Sequence, residues 1–485
     1  MQPGLILLII IGYFSVLMLI SRWTSQQSGD QTYFDGDKKS PWYLVAFGMI
    51  GSGISAVSLV SIPGNVGNDH LYYFQFILGS ILGYLFIALV LVPTFYHHRV
   101  VSLYSYLGDR FGTVTYKTGS LFFIVSQSFG AALRLLLSVK ILQDAFLDPL
   151  GVPYPVSIVL ILFLIWLYTH RSGVKTIVWT DTLQSLSLLL VLILSIRVII
   201  QSLGYSLSPL SDVIAASPLF EWFDFSPRAG SNFFKQFVSG FLITVALVGL
   251  DQSMMQKTLT IRDQHSARKN VLAFSFFIAF AQTLFLLLGI LLYLFAEQKG
   301  ITLTSQDGKF LDTDKLYPFL TMNYFGKIGV VAFFIGVISS TFASIDSCIA
   351  ALTTSISYDF FGYEQRSHVE KMRIKRGVLL AVNAVMFLII MAFWNNQGAI
   401  INTIFSIAGY TYGPLLGLFL AGLFTRMELL QRWVPVVCIA AAVITYALNM
   451  ASSHFFRFDF GFMNIAVNAL LTLLFLRLIR KINTA

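Results

Sequence analysis

Charged residues are what this 485-residue chain has least of: Asp, Glu, Lys and Arg together make up 11% of it, where soluble domains carry roughly one quarter. So little charge does not suffice to cover the surface of a water-soluble protein. Cysteine is almost missing, and Cys348 and Cys438 both lie inside apolar stretches, which excludes a disulfide framework and a Cys-based metal site. The seven His residues show no His-Glu-x-x-His or comparable ligand spacing. No Gly-x-Ser-x-Gly nucleophile turn is apparent either, so no enzyme is expected. No Gly/Ser linker, low-complexity segment or soluble domain interrupts the chain. In their place stand 56% hydrophobic residues, 45 Phe and a mean hydropathy of +0.76. That is the composition of a polytopic integral membrane protein, with lipid as its surroundings. The net charge of +9 does not call for nucleic acid, because the basic residues sit between apolar runs, where they orient helices.

Those runs are about 20 residues long, the length needed to cross roughly 30 Å of hydrocarbon. About thirteen are expected, over 3–22, 43–67, 71–96, 115–144, 154–170, 180–203, 236–257, 271–296, 327–357, 376–395, 400–424, 433–451 and 461–479. The start, Met1-Gln2-Pro3-Gly4, has no positive region, and its apolar run ends at Arg22 without a small-residue cleavage site, so a retained first helix is expected. With the amino terminus outside, the inner connections hold Lys38 and Lys39, Arg99 and Arg110, Arg171 and Lys175, Arg262, Arg268 and Lys269, Arg366 through Arg376, Arg426 and Arg432, and Arg477, Arg480 and Lys481. About 20 basic residues then lie inside against about seven outside, which predicts this orientation and a cytoplasmic carboxy terminus. The outer connections 204–235 and 297–326 are long enough for short helices of their own.

Polar atoms inside the runs are few, so each calls for a reason. Ser339-Ser340-Thr341-Phe342-Ala343-Ser344-Ile345-Asp346-Ser347 places hydroxyls and a carboxylate at membrane depth. Such oxygens can replace the water shell of a small hard cation, Na⁺ above all. Helical spacing puts Ser340, Ser344 and Ser347 on one face and Asp346 on the adjoining one. Two spans also look broken. The run 43–67 contains Gly48, Gly51, Gly53, Pro63, Gly64 and Gly67 beside Ser52, Ser55 and Ser58, and 236–257 contains Gly240 and Gly249-Leu250-Asp251-Gln252-Ser253. They lie five helices apart. Interrupted helices at matching places in two inverted halves mark the central site of a transporter, although Gly also serves close helix packing.

Several motifs resemble one family. Met49-Ile50-Gly51-Ser52-Gly53-Ile54-Ser55-Ala56-Val57-Ser58, Gly173-Val174-Lys175-Thr176-Ile177-Val178-Trp179-Thr180-Asp181, Gly249 through Lys257, Ser344-Ile345-Asp346-Ser347 and Gly413-Pro414-Leu415-Leu416-Gly417-Leu418-Phe419 are similar to the sodium:solute symporters. These are the carriers of glucose, proline, sialic acid, iodide and vitamins. The resemblance covers nearly the whole chain and implies a LeuT-type five-plus-five inverted repeat. One extra helix, 3–22, precedes the repeats 43–203 and 236–424, and two, within 433–479, follow them. With Asp359 as anchor, it implies a sodium held by the carbonyls of Gly51, Ile54 and Ser340 and the hydroxyl of Ser344. Ala343 departs from the family, since it stands where a second hydroxyl is usual; a slipped alignment uses Ser340 and Thr341 instead. Some members hold a second sodium, for which Asp181, Asp346 and Ser347 match, though Asp181 also reads as a helix cap. The first broken helix looks more like the iodide, monocarboxylate and vitamin branch than the sugar branch.

Gly53, Ser55, Ser58, Tyr73, Gln75, Asp251, Gln252 and Ser406 are the expected polar contacts of the small-molecule solute. Arg134 and Lys140 lie within a span, either snorkelling or facing an anionic solute. The expected activity is sodium-coupled symport of a small organic solute into the cytoplasm by alternating access, in a cell membrane such as the bacterial inner membrane and with no obligate protein partner. Alternatives are a proton-coupled or uncoupled carrier on the same fold and, less favoured, a transporter-like sensor, for which the stretch after Arg480 is too short to add a signalling domain.

Overall fold

The computed structural model describes residues 11–20, 40–98, 100, 102–169, 174–204, 207–301, 313–395, 399–456, 458 and 460–481. Parts of the expected first helix (3–10, 21–22), the segment 302–312, Gly173, and Lys38, Lys39, Arg99 and Arg171 of the inner connections lie outside the described residues. In chain order the helices are α1 (Ile11–Ile20), α2 (Trp42–Gly53), α3 (Ala56–Asp69), α4 (Tyr73–His98), α5 (Ser105–Phe111), α6 (Thr113–Leu150), α7 (Tyr154–Thr169), α8 (Val174–Leu203) and α9 (Leu207–Ala216). Then come α10 (Phe233–Gly249), α11 (Gln252–Thr258), α12 (Gln264–Gln298), α13 (Leu316–Tyr324), α14 (Gly326–Phe360), α15 (His368–Phe393), α16 (Ile400–Phe424), α17 (Gln431–Phe456) and α18 (Gly461–Leu478). Among the described residues no strand forms beyond an isolated bridge of Leu429 with Arg480. An all-helical architecture is what hydrocarbon requires, since each helix satisfies its backbone internally.

Among the described residues nine of these helices are long and apolar enough to cross a membrane, or eleven when each of two bent pairs counts as one span. Within those residues that is two fewer than the thirteen expected spans. The shortfall is α1, described for only Ile11–Ile20, and the short α7. Both breaks are present, α2 to α3 bending by 58° and α10 to α11 by 68°. The first bend falls just after Gly53 and not at Pro63. Pro63 lies inside α3, and the chain leaves the helical region at Ile54 (φ −103°, ψ 107°) and Ser55 (φ −95°, ψ 175°). The second break opens at Leu250 and Asp251 after a π turn at Val245–Gly249.

Helix α14 is the axis of the bundle. In its apolar stretch 83% is buried, against 28% for α15 and for α17 at the periphery. It packs on α8 and α6, while α2 packs on α8 and α12, and α4 on α10. Its far end is tied by Asp359, whose Oδ2 accepts from Ser120 Oγ (2.5 Å), Ser355 Oγ (3.0 Å) and Ser102 Oγ (3.1 Å), and whose Oδ1 accepts from Tyr116 OH (2.6 Å). Asp359→Asn replaces one of those acceptor oxygens by a donor. It should lower stability by about 1–3 kcal/mol, the cost of an unsatisfied buried group, read as a lower unfolding temperature in detergent.

Candidate functional site

A cavity of about 120 Å³ lies between the two breaks. Its wall takes Ser52, Gly53, Ser55 and Ser58 from the first broken span and Asp251, Ser253 and Met254 from the second. Tyr73, Phe76 and Tyr84 of α4, Arg134 of α6, Phe274 and Gln282 of α12, Ser344, Ser347 and Cys348 of α14, and Ile401, Ile404 and Phe405 of α16 also line it. Stacked rings roof one side: Tyr73 on Phe76 with centroids 5.1 Å apart, Phe76 on Phe405 at 5.2 Å, and Phe462 edge-on to Phe405 at 5.0 Å.

Of the residues expected to meet solute, Gly53, Ser55, Ser58, Tyr73 and Asp251 line this cavity, whereas Gln75, Gln252 and Ser406 do not. Gln75 is turned toward a connecting loop: its Nε2 donates to Ser231 O (2.8 Å) and Tyr72 O (3.1 Å), and its Oε1 accepts from Asp224 N–H (3.0 Å). Burial alone would raise the Asp224 carboxyl, but donation from Ser231 Oγ (2.5 Å) and Ser226 N–H (2.8 Å) outweighs it and holds the group below the ordinary value. Gln252 Oε1 accepts from Leu103 N–H at 3.0 Å. Asp251 is the N-cap of α11: Oδ1 accepts from the Ser253 N–H (2.7 Å) and hydroxyl, and Oδ2 from Tyr412 OH (2.7 Å). Its carboxylate is thus already engaged in stabilising the break.

Around the first break, Gly51 N–H donates to Ser185 Oγ at 2.6 Å, and a Cβ on Gly51 would lie 2.8 Å from that oxygen and 3.1 Å from Asp181 O. That close approach presses the end of α2 onto α8. Across the cavity, Ser344 Oγ is fully buried and has no hydrogen-bond partner among the described residues. The Ser340 hydroxyl donates back to Gly336 O (2.7 Å) and Val337 O (3.1 Å), and Thr341 Oγ1 to Val337 O (2.5 Å) while meeting Ser138 Oγ at 2.5 Å. Of the hydroxyls at 340, 341 and 344, Ser344 alone is left without a protein partner, as a cation ligand requires.

Asp181 lies two turns inside α8 and is no cap. Lys257 Nζ of α11 donates to its Oδ2, to Ser52 Oγ of α2 and to Ser347 Oγ of α14 (2.7 Å), and Ser52 Oγ also donates to Asp181 Oδ2 at 2.8 Å. The Lys257 side chain is 4% exposed and that of Asp181 0%. Beside them Ser347 Oγ is 3.2 Å from Asp346 Oδ1, and Asp346 Oδ2 has no partner among the described residues. Sequence reasoning overlooked this ammonium although Gln256-Lys257 stood inside a quoted motif; a lone cation closing the apolar run 236–257, after the break at Asp251, was the available signal. It also underweighted Arg134. That residue faces the cavity, and among the described residues its guanidinium has Cys348 Sγ, 3.5 Å away, as its hydrogen-bond partner.

Two broken spans around a central polar cavity, inside a bundle of membrane-crossing helices, define a secondary transporter. The sequence model of the sodium:solute symporter family matches residues 33–428. The chain belongs to that family, and it is an integral membrane transporter rather than an enzyme. It is similar to the sodium/sialic acid symporter of Proteus mirabilis (22% identical over 481 residues, covering 96% of this chain and 94% of the relative). It is also similar to the human sodium/iodide cotransporter, at 23% over 427 residues, which is 85% of this chain. The chain spans 65% of that cotransporter's length. In fold it resembles a substrate-bound, outward-open Na⁺-coupled sialic acid symporter, with a TM-score of 0.80 at 18% identity over 98% of this chain and 97% of that one.

Proposed function

We propose that this chain is a sodium-coupled symporter that carries a small anionic solute into the cytoplasm. The observation that carries the reading is Arg134: a guanidinium offers five N–H donors, and here it stands at the cavity wall with, among the described residues, a weak sulfur acceptor as its hydrogen-bond partner. A carboxylate or halide entering the cavity would supply the stronger acceptor that the guanidinium lacks there and a second opposite charge beside that of Asp251. The size agrees, since 120 Å³ corresponds to about four waters at about 30 Å³ each, the size of a short monocarboxylate. Iodide, sialic acid and monocarboxylates, which appear in the names of similar proteins, are all anions at neutral pH.

Sodium would bind where α2 ends, on the carbonyls of Gly51, Ile54 and Ser340 and the orphan Ser344 hydroxyl, tying α2 to α14. That tie favours the state open to solute, so each ligand raises the other's affinity by the same factor. The repeats 43–203 and 236–424 rock about the cavity, with the amino terminus outside, as the basic connections favour, and a bacterial inner membrane suits this arrangement. Ser344→Ala should weaken half-saturation by sodium at least about tenfold, or about 1.4 kcal/mol, in proteoliposome uptake; an unchanged sodium dependence removes Ser344 from the site.

Thermal-shift screening of the purified protein tests the whole reading, with monocarboxylates, iodide, pantothenate and sialic acid against neutral sugars, each with and without Na⁺. Sodium-dependent stabilisation by small anions is expected. Stabilisation by neutral sugars alone, or by any solute equally in potassium, refutes it. One observation favours proton coupling instead, the unpartnered Asp346 Oδ2 beside the missing hydroxyl at Ala343; uptake driven by a pH gradient in sodium-free buffer would establish that alternative.

A further inference from the structure

Lys257 stands in the oxygen cluster that sequence reasoning assigned to a second sodium. An ammonium has three N–H donors, and here each has an acceptor: Asp181 Oδ2, Ser52 Oγ and Ser347 Oγ. These oxygens come from α8, α2 and α14, and the lysine itself from α11, so one buried charge joins both broken spans to α8 and α14. A carboxylate and two hydroxyls are the donor set that a small hard cation takes, with the second carboxylate, Asp346, adjoining through Ser347. A free cation cannot enter the same position while the ammonium fills it, and the repulsion of two like charges in a site this buried opposes entry beside it.

We infer that Lys257 is a tethered cation standing in for a second sodium, so that the protein binds one sodium per cycle. The covalent tether holds Asp181 neutralised by pairing and keeps the four helices registered. Unlike a free ion, it crosses no gradient and adds no driving force. This inference rests on sodium coupling at the site formed by Gly51, Ile54, Ser340 and Ser344. Removing the lysine side-chain charge leaves Asp181, Asp346, Ser52 and Ser347 as an open oxygen set, and so converts a one-sodium protein into a two-sodium one.

The test is equilibrium binding of radioactive sodium to the purified, detergent-solubilised full chain, with no solute added. Wild type should bind one sodium per protein with a Hill coefficient near one, and Lys257→Met should bind two, with the coefficient rising toward two. Lys257→Arg keeps a cation in place and should stay at one; so should the double variant Asp181→Asn/Lys257→Met, which removes the paired charges together and with them the carboxylate that a free sodium would need. Two sodium ions bound to wild type overturn the inference whether or not any variant folds, and one sodium bound to folded Lys257→Met does so as well. No saturable sodium binding by wild type instead overturns the proposed sodium coupling itself. A lysine that merely braced the helices would alter stability in these variants and leave the number of bound ions unchanged.

Discussion

Arg134→Gln should lower solute affinity at least a hundredfold, about 2.7 kcal/mol, while leaving sodium binding within a factor of about two. The asymmetry follows from position. Arg134 faces the cavity from α6, where it donates to Cys348 Sγ and lies in the field of Asp251, whereas the proposed sodium ligands lie on α2 and α14. Losing one partner of a desolvated charge pair typically costs about 2–5 kcal/mol, because the anion would then be buried without a countercharge. Arg134→Lys should restore part of the affinity, since it keeps the charge but not the planar fork that meets a carboxylate through two bonds. The measurement is concentration-dependent uptake into proteoliposomes beside sodium binding. Affinity within twofold of wild type in Arg134→Gln would show that the solute is anchored elsewhere.

The largest structural effect is expected at the crossing of α4 and α10. Gly79 and Gly240 allow the two backbones to meet there: a Cβ on Gly79 would overlap Phe237 O, and one on Gly240 would overlap Phe76 O. The obstacle in each case is a main-chain carbonyl, which has no rotamer to escape into, so the helices must part. Gly79→Leu or Gly240→Leu should therefore remove the monodisperse folded species, seen as loss of the main peak in fluorescence-detected size exclusion. Gly377→Ala is the matched control. Nothing lies within 4 Å of its Cβ position in α15, and helix propensity alone should make it neutral or stabilising by up to about 1 kcal/mol. Normal yields for both leucine variants would mean that the helices are not packed this closely.

How much of this was legible beforehand depends on the range of the interaction. Span positions are local, because a run of apolar residues either is or is not long enough for hydrocarbon, and the bends came within a few residues of Gly53 and Gly249 for the same reason. Pro63 does not mark a bend: it removes a single N–H, and the rest of α3 continues around it. Gln75 and Gln252 looked available because a polar side chain in an apolar run must have a partner. Their partners are main-chain groups about 150 residues away. The Lys257–Asp181 pair spans 76 positions, and no periodicity connects an ammonium on one helix to a carboxylate on another.

The sequence by itself determined the environment, the helical class, the two interrupted spans and the small set of polar residues that must be explained, all of which follow from what hydrocarbon tolerates residue by residue. Only the tertiary structure decided which of those residues face a common cavity. It left Ser344 without a partner, enclosed Asp181 around Lys257, spent Asp251 on capping a helix, and turned Arg134 inward. Those outcomes depend on the rotation of each helix about its axis, which is set by packing against neighbours distant in the chain and by no single segment alone.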